Sequence, residues 1–344
     1  MKKKISILFI ILIINGISTT LLIGQSIGFN IIEIPNSTLI DNTTRPSLYN
    51  GTIAWHDGTN NGDLFYWDGN NTNTVATGCF GGEISLYDGK IAFQHFEGVN
   101  NGTRVYYWDG NSVSNISGNL WAGWLSLYSG EIAFSGAING NHELYLWDGL
   151  NTTQLTTTTQ QCSPVPSLFN SEIAYIFCGE LFYWNGTQTT LIYDNSYVDW
   201  KPSLYNGQIA FAASDGNDYE IFLWNGSNII QITNDNVDDK KPSLFNGQIA
   251  WTKGNSDLTK EIYFWDGSTT TQVTNNSIYD NYPSLYNGNI AWNGGAGWQG
   301  TGNIYYATQY NIPPSVPVSI WSILLSIILI LASILFKRLY TVVR

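Results

Sequence analysis

Pro202-Ser203-Leu204-Tyr205-Asn206-Gly207-Gln208-Ile209-Ala210-Phe211 reads as two short strands joined by a two-residue turn. Asn-Gly is a strong hairpin signal, because a type I′ turn needs positive φ at both central residues. Strand a runs from Pro202 to Tyr205 and strand b from Gln208 to Ala213. After a polar loop, Glu220 to Trp224 supplies strand c, Asn225-Gly226 turns the chain, and Ile229 to Thr233 supplies strand d. Four antiparallel strands in about forty residues make one blade of a propeller.

The same grammar recurs along the chain. Ser-Leu-Tyr/Phe begins at Ser47, Ser85, Ser126, Ser167, Ser203, Ser243 and Ser284, at spacings of 38, 41, 41, 36, 40 and 41 residues. Each is followed by an Ile-Ala-aromatic triplet, from Ile53-Ala54-Trp55 to Ile290-Ala291-Trp292. Six repeats end a third strand with Trp-Asp/Asn-Gly, as at Trp67-Asp68-Gly69 and Trp265-Asp266-Gly267, which also reads as a type I′ turn. The expected fold is all-β, a seven-bladed propeller of four-stranded antiparallel blades spanning residues 30–310. The last repeat stops after strand c, at Asn303 to Thr308. Asn30-Ile31-Ile32-Glu33-Ile34 matches the strand d sequence Asn228-Ile229-Ile230-Gln231-Ile232. The N-terminal strand is therefore expected to complete blade seven and close the ring, hiding edges that an open array would expose.

Both ends read as membrane-directed. Lys2, Lys3 and Lys4 precede an apolar run, so residues 1–24 are expected to be a signal peptide or an uncleaved signal anchor. Residues 311–317 form a proline-rich spacer with Pro313, Pro314 and Pro317. Residues 318–336 carry no charge and are long enough to span a bilayer as a helix. Lys337, Arg338 and Arg344 follow in the tail, residues 337–344, which places the tail in the cytoplasm and the propeller outside. The expectation is a cell-membrane protein with one span, or two if the signal is retained. Ten sequons fit export: Asn36, Asn42, Asn50, Asn70, Asn101, Asn115, Asn151, Asn185, Asn225 and Asn275. Eight basic residues lie outside the termini against all 26 acidic ones, which argues against a nucleic-acid partner.

The run Gln231-Ile232-Thr233, Asp238-Asp239, Pro242-Ser243 and Ile249-Ala250-Trp251 resembles the repeats of TolB-like, or WD40-like, propellers. The likeness covers residues 30–308 and recurs seven times. It departs from that family in reading Ser-Leu-Tyr-Asn-Gly where Ser-Pro-Asp-Gly is usual, and in lacking a separate N-terminal α/β domain. The resemblance implies a scaffold for binding and names no ligand.

In such a ring the b–c and d–a loops share one face. Trp121, Trp124, Trp200 and Trp298 fall in those loops and are candidate anchors for sugars or protein partners. Asp199, Asp239 and Asp280 each stand three residues before the proline of strand a, and are read either as calcium ligands or as turn-stabilising acids. His56, His95 and His142 read as scattered surface histidines, and no nucleophile motif or His/Cys cluster suggests catalysis. No cofactor is expected beyond that calcium. Cys162 and Cys178 are expected to form a disulfide on one rim, leaving Cys79 unpaired. The function read from these features is a binding, adhesion or protein-interaction module for a surface protein or glycan, and not an enzyme. The alternatives are an exported carboxylate-dependent hydrolase or lyase, and a structural envelope component.

Overall fold

A computed structural model describes residues 26–40, 44–58, 62–79, 82–98, 102–138, 140–194, 198–256, 260–296 and 300–312. They form seven four-stranded antiparallel sheets, each running a-b-c-d from the axis outward. Gly28–Tyr310 is one compact unit. In blade seven the fourth strand is Ser26–Glu33, paired with the third strand Gly302–Ile312, so the N-terminal segment closes the ring. Ile34 continues this closure, its N–H donating to the Ile304 carbonyl at 2.8 Å. Among the described residues no helix is long and apolar enough to cross a membrane. The segments read as signal (1–24) and span (318–336) lie outside the described residues.

The a–b turns have the conformation that Asn-Gly demands. Asn206 and Gly207 sit at φ 48° and 70°, and the other blades repeat this. Blade four does it with Asn170-Ser171, where Ser171 holds φ 60° without the freedom of glycine. The c–d turns correct the expectation of a second type I′ set. Trp67 pairs with Thr72, so four residues make the loop. Asp68 Oδ1 accepts the N–H groups of Asn70 and Asn71 at 2.8 and 2.7 Å. A short acceptor side chain that bonds the backbone two and three residues on is an Asx turn, and the Asp or Asn is its first residue. Asp109, Asp148, Asn185, Asn225 and Asp266 repeat the contact.

The Ile-Ala-aromatic triplet explains how blades stack. Side chains two apart on a strand share a face. Ile53 and Trp55 therefore face blade seven, where they pack on Ala291, while Ala54 faces blade two and receives Ile91 and Phe93. The same knob-on-alanine contact joins Phe134 to Ala92, Tyr175 to Ala133, Phe211 to Ala174 and Trp251 to Ala210. The core thus lies between sheets, and the small residue sets how closely they approach.

Strand a explains the Ser-Leu-aromatic phrase. Each serine Oγ accepts the N–H of the leucine in the next blade: Ser47 from Leu86, Ser85 from Leu127, Ser126 from Leu168, Ser167 from Leu204, Ser203 from Leu244, Ser243 from Leu285 and Ser284 from Leu48. All seven distances are 2.8–3.0 Å, and the last bond joins blade seven to blade one. Two residues on, Tyr49, Tyr87, Tyr128, Phe169, Tyr205, Phe245 and Tyr286 form a second closed ring with centroids 4.4–4.7 Å apart. Replacing Ser126 by alanine strands the Leu168 N–H in a buried site. The expected loss is about 1–3 kcal/mol of unfolding free energy, measured by denaturant titration. Ser171→Gly, by relieving a left-handed serine, is expected to gain about 0.5–1 kcal/mol in the same assay.

Candidate functional site

Strand a enters from the b–c and d–a face. The position two before the serine changes chemistry between blades: Arg45, Glu83, Trp124, Val165, Lys201, Lys241 and Tyr282. Four of these strands are bulged here, with register shifts at Gly123/Leu125, Asp199/Ser203, Lys240/Ser243 and Asn281/Ser284. The bulges hold Trp124, Trp200, Lys241 and Tyr282 at φ 34°, 66°, 58° and 54°. Bulges re-aim side chains, and left-handed bulky residues persist only where the surroundings enforce them.

Inside the ring is a cavity of about 210 Å³, lined by the seven serines and by Arg45, Glu83, Lys201, Lys241, Trp200 and Tyr282. None of the seven ring aromatics lines this cup, whose lining reaches as far as the serines. Glu83, only 6% exposed, takes Arg45 Nη1 at 2.6 Å on one oxygen and Lys201 Nζ at 2.5 Å on the other. Burial alone would raise this carboxyl, but Lys201 and Arg45 outweigh it and hold it below its ordinary value. Lys201 also donates to the Leu125 carbonyl at 2.8 Å. The Arg45 guanidinium carbon lies 4.1, 5.1 and 5.3 Å from the ring centroids of Trp200, Trp124 and Tyr282. Lys241 Nζ stands 3.6 Å over Tyr282 and donates to Asn281 Oδ1 at 3.0 Å. Burial, reinforced by Lys260 and Arg45, pushes Lys241 well below the ordinary lysine value.

Of the residues singled out in the sequence, Trp124 and Trp200 meet at this mouth, edge to face at 5.4 Å. Their faces are not open anchors, because Arg45 occupies them. Trp121 is apart from them, 56% exposed beside Ile138 and His142 in a rim groove of about 700 Å³. Trp298 lies outside the described residues.

Asp239 and Asp280 are fully buried and line no part of the cup. Each accepts the indole N–H of its own blade's strand b, from Trp251 at 2.7 Å and Trp292 at 2.8 Å. Asp239 also takes Lys253 and Asp280 takes Asn276. Blade five has Phe211 where an indole would donate, and Asp199 has no such bond; burial raises its carboxyl. The three do not converge as calcium ligands.

Among the described residues one acidic trio, Asp215, Asp218 and Glu220, is compact. Glu220 Oε1 accepts the Asp235 N–H, as Glu143 accepts Thr158 and Glu261 accepts Asn276, so this glutamate ties its loop. His56 corrects the surface reading: it is 2% exposed, and its Nε2 bonds to the Gly82 carbonyl of blade two at 2.9 Å. His95 packs on Tyr106 and His142 bonds Ser163. Cys162 and Cys178 are joined by a disulfide, and Cys79 is buried with its thiol pushed up to about 12 by burial and Asp63. Eight of the ten sequon asparagines are exposed; Asn42 and Asn101 lie outside the described residues. Residue reading missed Arg45, Glu83, Lys201, Lys241 and Tyr282. Their signal was the chemical variability of one position inside an otherwise uniform repeat.

No family model and no curated protein matches the chain. Solved structures do. The propeller domain of the trilobed protease from Pyrococcus furiosus matches at TM-score 0.63 and 8% identity, covering 82% of this chain and 98% of that one. The acylaminoacyl peptidase of Pyrococcus horikoshii matches at 0.58 and 10%, covering 79% of this chain and 52% of that one. A structure described as a TolB from Agrobacterium tumefaciens matches at 0.42 and 14%, over 84% and 99%. At these identities the first two show the propeller fold and nothing of activity.

Asp239 and Asp280 are both raised from 3.8 to about 6, chiefly by burial. A carboxyl raised in the folded state keeps its proton longer than in the unfolded chain. Its contribution to stability is therefore full below about pH 4 and lost as pH rises through 6. Asp280→Asn keeps an acceptor for Trp292 and removes the titration. Thermal unfolding from pH 4 to pH 8 is expected to decline less with rising pH in the variant than in the wild type.

Proposed function

We propose that this chain is a membrane-anchored, extracytoplasmic binding propeller whose ligand side is the b–c/d–a face and whose recognition centre is the cup. The observation that carries this reading is the ring position two before the serine. Six of the seven blades place a charged or aromatic side chain there, while the serine and aromatic rings beneath it hardly vary. A uniform scaffold with one chemically diverse ring is how repeat folds build a specific site. The terminal segments support the placement outside the membrane.

A carboxylate-dependent hydrolase would need two acids facing each other at the mouth. Among the described residues Glu83 is the one carboxylate lining the cup, and Arg45 and Lys201 neutralise it. That arrangement favours binding. The peptidase relatives share the propeller fold, which brings no catalytic residue with it.

Two measurements check the proposal. In cells expressing the full chain, external protease is expected to digest the propeller while a tag on the C-terminal tail survives until the membrane is opened. In a glycan and surface-protein binding screen, the wild type is expected to capture a ligand. The double variant Trp200→Ala/Tyr282→Ala is expected to lose at least tenfold in affinity, roughly 1.4 kcal/mol, because these rings hold Arg45 and Lys241 in place. A protected propeller, or equal capture by the variant, would contradict it.

A further inference from the structure

The cup is rich in donors and poor in acceptors. Arg45 spends Nη1 on Glu83, while its Nε is buried with no partner among the described residues. Lys201 uses two of its three protons, on Glu83 and on the Leu125 carbonyl. Lys241 bonds Asn281 Oδ1, and among the described residues no carboxylate lies within ion-pair distance of it. Each of the seven serine oxygens already accepts a leucine N–H and still carries a hydroxyl proton. Apart from the hydroxyl oxygens, which both donate and accept, the acceptors named here among the described residues are one carboxylate, one carbonyl and one amide oxygen.

Charge points the same way. Three cations line the cup against the single Glu83, in a chain whose net charge is −12. Three of the eight basic residues outside the termini are gathered at one spot on an otherwise acidic molecule. An amine buried without a counter-ion is costly, and an anion seated beside it relieves that cost. The depressed basicity of Lys241 agrees. Size then limits the ligand, because about 210 Å³ holds a small group and not an oligosaccharide or a folded peptide.

We propose that the cup is an oxyanion site, in which Arg45, Lys201 and Lys241, backed by the serine hydroxyls, hold a carboxylate or a tetrahedral phosphate or sulfate group of the ligand. This rests on the binding reading above and names the chemistry that the same site selects. Cation–π contacts hold Arg45 and Lys241 over Trp200 and Tyr282, so both donors are in place before the ligand arrives.

The test uses the full chain in detergent, titrated with acetate, inorganic phosphate or sulfate against chloride at fixed ionic strength, and read by thermal shift and calorimetry. At least one oxyanion is expected to give a saturable rise in melting temperature. Acetate alone would identify a carboxylate ligand, and phosphate or sulfate an ester; either outcome supports the site. Lys241→Met is expected to weaken that response by about tenfold or more, as loss of a charge-assisted bond implies. Without anion it is expected to melt no lower than the wild type, because it removes a half-buried amine that lacks a counter-ion among the described residues, so a lost response is not misfolding. Lys241→Arg is expected to keep the response. No saturable effect from any of the three, or an equal effect in Lys241→Met, overturns the site. If a ligand from the binding screen is still captured by Lys241→Met with unchanged affinity, the oxyanion inference falls and the binding reading stands. If neither oxyanion nor screen yields binding, both fall.

Discussion

Seven hydrogen bonds from leucine N–H to serine Oγ tie every blade to its neighbour at the axis, and the rest of the architecture follows from them. A closed ring of equivalent bonds needs an equivalent strand a in each blade. That requirement explains why Ser-Leu-aromatic is the most regular phrase in the chain. It also makes the ring indivisible, since the bond from Leu48 to Ser284 joins elements 236 residues apart. The N-terminal strand that completes blade seven supports this junction from outside, where Ile34 packs with Leu48 and Ile304 in one cluster.

Alternation along strand a turns this constraint into a layered channel. The aromatic layer lies at one end, the serine layer links the blades, and the layer two residues earlier lies toward the b–c/d–a face. In this last layer the repeat departs from uniformity. The left-handed conformations of Trp124, Lys241 and Tyr282 belong to it, with Trp200 beside it, as do three cations gathered on an acidic protein. Local strain and concentrated charge coincide at one place, the combination expected where a fold gives up stability for recognition.

Much of this was legible in the sequence. The period, the a–b turns and the borrowed strand at Asn30 to Ile34 are local patterns repeated often enough to be read without coordinates. The c–d turns were misjudged, because Asp-Gly suits both a type I′ turn and an Asx turn. The choice depends on whether the aspartate sits inside the loop or at its first position. The site was half legible. Trp124 and Trp200 drew attention as loop aromatics, yet they stack on Arg45, 79 and 155 residues away in sequence. Asp239 and Asp280 read either as calcium ligands or as turn-stabilising acids, because a carboxylate near a channel mouth suits both. The indoles of Trp251 and Trp292, on the next strand of the same blade, take those carboxylates instead. Residues that meet across a ring carry no local signature. Their trace is that one register position changes chemistry from blade to blade.

The most direct test of this account is a crystal structure of the full chain soaked in selenate, a tetrahedral oxyanion located by its anomalous signal. The account expects the strongest anomalous peak in the cup, within hydrogen-bonding distance of Arg45, Lys201 or Lys241. An empty cup both in this crystal and in a parallel acetate soak would contradict it.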